Sequence, residues 1–146
     1  MSGIKGRDTK PELMVRKILH RNGFRYRLHK KNLPGSPDVY LRKHNCAVFV
    51  HGCFWHGHNC HLFRWPKTRE SFWREKIGSN IKRDRSHVET LGARGVRVLL
   101  VWECAMKGKT KLDLDRLEKE LIEAITGRNE FCQITGLSDG DAPNPG

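Results

Sequence analysis

Four side chains that can bind a metal ion impose the strongest constraint on how this chain folds. Cys53, His58 and Cys60 lie close together in one segment, and Cys104 follows a distant apolar segment. Thiolates and imidazoles are ligands that Zn²⁺ prefers, and four of them without a carboxylate complete a tetrahedral site. The pattern predicts a structural zinc site joining a loop to the end of a strand, with His61 as a competitor of His58. The alternative is a set of separate buried thiols.

The composition is that of a globular, strongly basic protein. The 146 residues include 28 Lys and Arg against 16 Asp and Glu, a formal net charge of +12. A chain of this length can bury its own core, and the basic excess indicates a polyanionic partner. No apolar run approaches the roughly 20 residues of a membrane span, and no signal peptide opens the chain. We therefore expect a cytoplasmic protein that binds no membrane.

Five cysteines are an odd number, and cysteines interleaved with histidines in a reducing compartment favour metal binding over disulfides. Cys46 and Cys132 are then predicted to be buried thiols outside the metal site.

The hydrophobic pattern predicts an α/β fold with a single domain over residues 1–136 and a polar tail over 137–146. In chain order, the predicted elements are a helix capped by Thr9 and ended by Gly23, strands over 24–28, 38–42 and 46–50, a helical region over 69–93 interrupted near Gly78, a strand over 96–102, and a helix over 114–125 that ends at Gly127.

The connections between these elements predict how the strands pair. The second and third strands are separated by three residues, so they should form an antiparallel hairpin. The fourth strand follows a long helical region, so it should lie parallel to the third by a right-handed crossover.

A carboxylate and a histidine mark the two ends of the predicted hairpin. Asp38 begins one strand and His51 ends the next, so antiparallel pairing brings the two side chains together. A carboxylate there can hold Mg²⁺ against a phosphate, while a histidine moves a proton. Pro-Asp is also a common turn, and unligated histidines such as His51 and His56 are often ordinary packing residues. The pattern alone is therefore a weak predictor of catalysis.

Five segments of the chain match a known family. They are Leu-Pro-Gly-Ser-Pro-Asp (33–38), Phe-Val-His-Gly-Cys-Phe-Trp-His (49–56), Phe-Trp-Arg-Glu-Lys-Ile (72–77), Arg-Asp-Arg (83–85) and Val-Trp-Glu-Cys (101–104). Together they strongly resemble the very short patch repair (Vsr) DNA mismatch endonucleases, from about Met1 to Ile125. The resemblance implies a restriction-endonuclease-like fold, with a central mixed β-sheet flanked by helices and a structural zinc site.

The activity implied by the resemblance is a Mg²⁺-dependent nick in double-stranded DNA. The nick falls on the 5′ side of the thymine in a T:G mismatch left by deamination of 5-methylcytosine. A monomeric enzyme that acts with downstream repair proteins is expected.

The resemblance also assigns roles to individual residues. Asp38 matches the metal-binding carboxylate, and His51 and His56 match the catalytic histidines. Glu12 matches an acid that helps position water, and Asp84 matches the acid that supports the second histidine. The remaining matches are the metal-binding main-chain carbonyl of Val50, where family members often have threonine, and the zinc ligands Cys53, His58, Cys60 and Cys104.

Several residues are expected to contact DNA. The resemblance implies that Phe54 and Trp55 insert beside the mismatch, where unstacking costs less, and that Met1 inserts from the opposite groove. Arg83 and Arg85 could contact phosphates, although such charged runs are usually solvated surfaces. Family members carry further basic residues before the position of Met1, so we expect either that the chain is shortened at this end or that it binds DNA more weakly.

Two other functions fit the same sequence. One is a site-specific or general nuclease without mismatch selectivity. The other is a zinc-containing DNA-binding module without catalysis, which would need the basic charge and the Phe54-Trp55 pair but not Asp38, His51 or His56.

Overall fold

The computed structural model describes residues 9–137, so the expectations for Met1 and for most of the polar tail lie outside the described residues. Within this part the fold is mixed α/β, with a five-stranded sheet flanked by helices. The elements are α1 (Lys10–Arg21), β1 (Arg27–Leu28), β2 (Val39–Leu41), β3 (Cys46–His51), α2 (Glu70–Ala93), β4 (Arg97–Trp102), α3 (Leu114–Thr126) and β5 (Phe131–Ile134), with short 3₁₀ turns at Arg42–His44 and Glu103–Ala105.

The sheet has the strand order β1-β2-β3-β4-β5. β1 and β2 pair antiparallel, as do β2 and β3, whereas β3, β4 and β5 run parallel. The predicted hairpin and the predicted parallel crossover are therefore both confirmed. The register pairs His51 with Trp102, so β3 and β4 end side by side. The segments that follow these two strands consequently start from the same edge of the sheet.

The first helix forms where the sequence predicts it. Thr9 is the N-cap, its hydroxyl accepts the N–H of Glu12 at 3.3 Å, and Pro11 lies in the first turn. Proline at this position costs no hydrogen bond because the first helical N–H groups have no partner within the helix. The helix buries Glu12 along with Val15, Ile18 and Leu19, which places a carboxylate inside the domain.

Two cores cover the two faces of the sheet. The apolar residues of α1 and α3 pack against one face, together with Val48 and Leu99. The other face carries Phe49, Leu100 and Trp102, which pack with Leu91 of α2. Because side chains alternate along a strand, His51 lies on the same face as Phe49, toward α2.

Three details of the predicted elements are wrong. The structure contains β5, which the predicted order lacks, and only Arg27–Leu28 of the predicted 24–28 strand pair with β2. Phe24 and Tyr26 pack against the core without joining the ladder. The helix α2 runs through Gly78 without interruption, because one interior glycine costs only about 1 kcal/mol against the hydrogen bonds of a long helix.

None of the helices described over residues 9–137 is both long enough and apolar enough to span a membrane.

Candidate active site and metal centre

The four predicted metal ligands converge in space. One ligand atom from each of Cys53, His58, Cys60 and Cys104 lies within 4.8 Å of the others. The Nδ1 atom of His58 is 3.5 Å from the Cys53 sulfur and 3.6 Å from the Cys104 sulfur. His61 instead faces Thr110, with its Nδ1 atom 3.4 Å from the hydroxyl. His58 is therefore the histidine of this group, and three thiols with one imidazole form a set that suits Zn²⁺.

Neighbouring groups hold these sulfur atoms in place. The N–H of Cys53 donates to a Glu103 carboxylate oxygen at 3.1 Å, and the N–H of Gly136 donates to the Cys104 sulfur at 3.3 Å. A Cβ atom at Gly136 would lie 2.3 Å from the Cys104 carbonyl oxygen, so glycine is required for this approach. Hydrogen bonds from Cys53 and His58 lower the pKa of Cys104 to about 4 despite burial. A thiol that ionises readily is prepared to bind a cation.

The ring of His58 lies flat against the indole of Trp102, with 4.1 Å between the ring centroids. The same indole meets the ring of His51 edge to face at 5.1 Å. Trp102 thus packs between the Cys/His group and the two histidines expected to be catalytic. A metal ion held by the Cys/His group would therefore also fix the side chain that packs against these two histidines.

Asp38 immediately precedes β2 and lies beside the end of β3, as the hairpin predicts. Its Oδ2 atom accepts the N–H of Val50 at 2.7 Å. Burial and the nearby charge of Glu12 raise the pKa of Asp38 to about 6, although the Val50 hydrogen bond and the nearby His29 and His56 act in the opposite direction. Burial makes the ionised form of this carboxylate unfavourable, and a bound cation would stabilise that form.

Glu12, His29 and Asp38 form a second group of potential metal ligands. Their ligand atoms also lie within 4.8 Å of one another. Glu12 is almost fully buried, and its Oε2 atom lies 2.8 Å from Nε2 of His29 and 3.4 Å from Nη1 of Arg16. The helix-one acid is thus placed beside Asp38, as expected.

His51 and His56 form a stacked pair. Their ring centroids are 3.8 Å apart and their planes differ by 1°. The Nδ1 atom of His56 lies 2.5 Å from a carboxylate oxygen of Asp84, whereas Nδ1 of His51 is buried without a hydrogen-bond partner in the described part of the chain. Burial, followed by the neighbouring His56, lowers the pKa of His51 to about 3. His51 is therefore neutral at physiological pH, and Asp84 orients only His56.

One cavity brings the two parts of the site together. It has a volume of about 250 Å³ and is lined by Asp38, Val50, His51, His56 and Asp84, among others. Arg83 and His87, which precede and follow Asp84 on α2, also line it. The cavity therefore presents two carboxylates, three imidazoles and a guanidinium to a common space. This set can hold a cation, a phosphate and a moving proton.

An aromatic surface lies next to this cavity. Trp55 is 50% exposed, and its ring centroid is 5.2 Å from that of Phe54 and 5.8 Å from that of Trp73. Phe54 also contacts Trp73 at 5.5 Å. The main-chain carbonyl of Trp55 accepts the side-chain N–H of Asn80 at 2.9 Å, which fixes the loop against α2. The exposed Trp55 and the half-buried Phe54 and Trp73 thus form a single aromatic platform.

Arg83 and Arg85 are both exposed on α2. Nη1 of Arg83 donates to the Asn80 side chain at 3.2 Å, and Arg83 lines the cavity, whereas Arg85 does not.

Sequence reasoning missed three residues at the site. His29 follows β1, and its N–H donates to the Asp38 carbonyl at 3.1 Å; extending the strand pairing by one residue would have placed it there. His87 follows Asp84 by nearly one helical turn, and that spacing indicates the same face. Trp73 lies in the first turn of α2, where an aromatic residue is easily interpreted as core.

The chain is similar to several known proteins. A family model described as DNA mismatch endonuclease Vsr matches residues 1–62. The DNA mismatch endonuclease Vsr of Escherichia coli (strain K12) is 44% identical over 134 residues, covering 92% of this chain and 86% of the relative. The Type II nicking enzyme V.XorIIP of Xanthomonas oryzae pv. oryzae is 43% identical over 121 residues (83% and 85%). The Type II nicking enzyme V.NmeAIP of Neisseria meningitidis serogroup A is 43% identical over 127 residues (86% and 91%).

Proposed function

The chain belongs to the Vsr family of DNA mismatch endonucleases, and we propose that it nicks double-stranded DNA on the 5′ side of the thymine in a T:G mismatch. Such mismatches arise when 5-methylcytosine is deaminated, so the enzyme would start very short patch repair. The observation that carries this proposal is the meeting of Asp38, His51 and His56 at one cavity, next to the aromatic platform. We propose that the domain has the restriction-endonuclease-like fold of the family and acts as a monomer.

Asp38 and the main-chain carbonyl of Val50 are the proposed ligands of a catalytic Mg²⁺. Carboxylate and carbonyl oxygens are the hard ligands that Mg²⁺ prefers, and the raised pKa of Asp38 fits a carboxylate awaiting a cation. When bound, Mg²⁺ supplies positive charge against the scissile phosphate. Family members often have threonine at the position of Val50, and valine provides the same main-chain carbonyl. Glu12, buried beside Asp38, helps position the attacking water.

The two histidines have different proposed roles. His56 is oriented by Asp84, and a carboxylate on one ring nitrogen stabilises the imidazolium that forms when the other nitrogen takes a proton. His51 stays neutral because it is buried, so it can make hydrogen bonds but is a poor proton acceptor. We assign proton transfer at the phosphate to His56 and polar support of the reacting group to His51.

The Cys/His group is the proposed structural zinc site. Its four ligands leave no open coordination position, which is the arrangement of structural rather than catalytic zinc. A Zn²⁺ ion there would join the 53–60 loop to Cys104, in the short turn after β4. It would also fix the stack of His58 on Trp102, and through Trp102 the position of His51.

The aromatic platform supplies the proposed mismatch recognition. Phe54, Trp55 and Trp73 present flat apolar faces that can enter a base step and unstack it, at a lower cost where pairing is imperfect. Met1 is proposed to insert from the other groove. Arg83 and Arg85, exposed on α2, are proposed phosphate contacts, and the net charge of +12 would strengthen binding to any duplex. The platform, not the charge, must therefore supply selectivity.

The proposal is tested with three matched duplexes that carry T:G, C:G or A:T at one position. Each strand is labelled at its 5′ end, and zinc-loaded protein is added with Mg²⁺. We expect one nick, in the thymine strand of the T:G duplex, 5′ of the mismatched base. Equal nicking of all three duplexes would indicate a nuclease without mismatch selectivity. Tight binding with no nicking of any duplex would indicate a DNA-binding module.

A further inference from the structure

Beside Asp38, the structure holds an imidazole that no role described above requires. The side chain of His29 is 13% exposed, and its Nε2 atom lies 2.8 Å from the Glu12 carboxylate. One ligand atom from each of Glu12, His29 and Asp38 lies within 4.8 Å of the others. Carboxylates suit Mg²⁺ and Mn²⁺ and imidazole suits transition metals, so these three side chains together can bind a divalent cation.

The main chain at His29 adopts a strained conformation. Its φ is +47°, in the left-handed region that side chains other than glycine rarely adopt. The same residue donates its N–H to the Asp38 carbonyl at 3.1 Å, which continues the pairing of β1 with β2 beyond the strands. Strained backbone that persists is concentrated at functional sites. The fold thus turns the chain sharply at the residue that places an imidazole next to Asp38.

The spacing of the group fits one six-coordinate ion. Ligands about 2.1 Å from an octahedral cation lie about 3.0 Å apart at neighbouring positions and about 4.2 Å apart at opposite positions. The 2.8 Å separation of His29 Nε2 from Glu12 Oε2 is close to the first distance. A cation could therefore contact both atoms after only small side-chain shifts, replacing the proton of the hydrogen bond that joins them and occupying the space that Asp38 borders.

We propose that His29 is a ligand, through Nε2, of the same divalent cation that Asp38 binds. The inference rests on the proposed function, since it assumes a cation at Asp38. An imidazole nitrogen is a softer ligand than carboxylate or carbonyl oxygen. The mixed nitrogen and oxygen set consequently gives this enzyme a catalytic site that binds a transition metal such as Mn²⁺ more tightly than Mg²⁺.

Pulsed electron paramagnetic resonance of bound Mn²⁺ tests the inference without an activity measurement. The zinc-loaded protein is titrated with one equivalent of Mn²⁺, and the spectrum is examined for modulation from a directly bound nitrogen nucleus. The variants are His29→Gln, which keeps a side chain able to donate to Glu12, and His29→Ala, which removes that contact. Asp38→Ala tests the cation site itself, and His20→Gln, an exposed histidine of α1, is the matched control.

We expect nitrogen modulation in the wild-type protein and in His20→Gln, and none in His29→Gln. Mn²⁺ affinity should fall by about tenfold or more in both His29 variants, with a smaller loss for Mg²⁺. If Mn²⁺ binding depends on Asp38 but the wild-type spectrum lacks nitrogen modulation, or His29→Gln retains it, His29 is not a ligand. If Asp38→Ala binds Mn²⁺ as tightly as the wild type, the metal site of the proposed function is wrong, and this inference falls with it.

Discussion

The imidazole rings of His51 and His56 lie parallel, with 3.8 Å between their centroids. Two positive charges at this distance would repel strongly, and burial already makes charging His51 costly. The pKa of His51 is lowered to about 3 by burial, with a further contribution from His56. His51 therefore stays neutral, while His56 faces the carboxylate of Asp84. The stack is chemically asymmetric even though the two rings are identical.

This asymmetry predicts unequal effects of three substitutions. His56→Ala should slow single-turnover nicking of a T:G duplex by about 10²–10⁴-fold, the usual contribution of a general acid or base. Asp84→Asn should have a smaller effect, because His56 remains and only loses its orienting carboxylate. His44→Gln, at the far end of the β2–β3 hairpin, should nick at the wild-type rate. A His56→Ala variant that nicks within threefold of wild type would contradict the assignment.

Asp38 is predicted to reduce the stability of the domain when no divalent cation is added. Its pKa is about 6 in the fold against 3.8 in the unfolded chain, so the folded state holds the proton more tightly. This group therefore favours folding less as pH rises from about 4 to 6. Above pH 6 the ionised form costs up to about 3 kcal/mol.

Asp38→Asn should accordingly raise the free energy of unfolding by up to about 3 kcal/mol at pH 7.5 and by only about 1 kcal/mol at pH 4.5. An asparagine oxygen can still accept the Val50 N–H. Urea unfolding of zinc-loaded protein without Mg²⁺ measures the difference at each pH. Added Mg²⁺ should stabilise the wild type and not the variant. A gain that is larger at pH 4.5 than at pH 7.5 would contradict the predicted sign.

Cys104→Ser is predicted to release zinc and to destabilise the domain. An ion present at about 1,000 times its dissociation constant contributes about 4 kcal/mol to folding, equivalent to a fall in melting temperature on the order of 10 °C at this chain length. Metal analysis and thermal unfolding measure the two effects. Cys132→Ser, a half-buried cysteine outside the group, should keep its zinc. Full zinc occupancy in Cys104→Ser would exclude Cys104 as a ligand.

Trp55 and Trp73 are predicted to bind the mismatch by stacking. Base–aromatic stacking contributes about 1–3 kcal/mol per base, so Trp55→Ala and Trp73→Ala should each weaken binding to a T:G duplex by about tenfold or more. Binding to a C:G duplex should change less, because phosphate contacts dominate there. Phe131→Ala removes an exposed aromatic residue of β5 and is the control. Equal losses on both duplexes would show that the platform does not discriminate.

Much of the fold follows from local patterns in the sequence. The apolar run Cys46–His51 and the run Arg97–Trp102 predict neighbouring parallel strands, because a long helix separates them. The spacing of the cysteines and His58 predicts the metal group, because three thiols and one imidazole form a ligand set that suits Zn²⁺. β5 could not be predicted in the same way, since Phe131 and Gln133 are exposed and the strand depends on main-chain pairing with β4.

The parts of the site that sequence reasoning missed depend on backbone geometry. His29 reaches Asp38 only because its main chain adopts a positive φ. No residue pattern in the sequence predicts a positive φ at this position. Trp73 joins the aromatic platform because α2 begins beside the 53–60 loop. Asp38 and His51, in contrast, lie at adjacent hairpin ends, so strand pairing alone was enough to place them together.

The most direct test of the account is to measure nicking and zinc content together in Asp38→Ala. The proposed cation at Asp38 acts on the phosphodiester, whereas the Cys/His site only stabilises the fold. The variant should therefore lose nicking of the T:G duplex by at least about 10³-fold, retain one equivalent of zinc and unfold cooperatively like the wild type. Substantial residual nicking by a folded, zinc-loaded Asp38→Ala variant would contradict it.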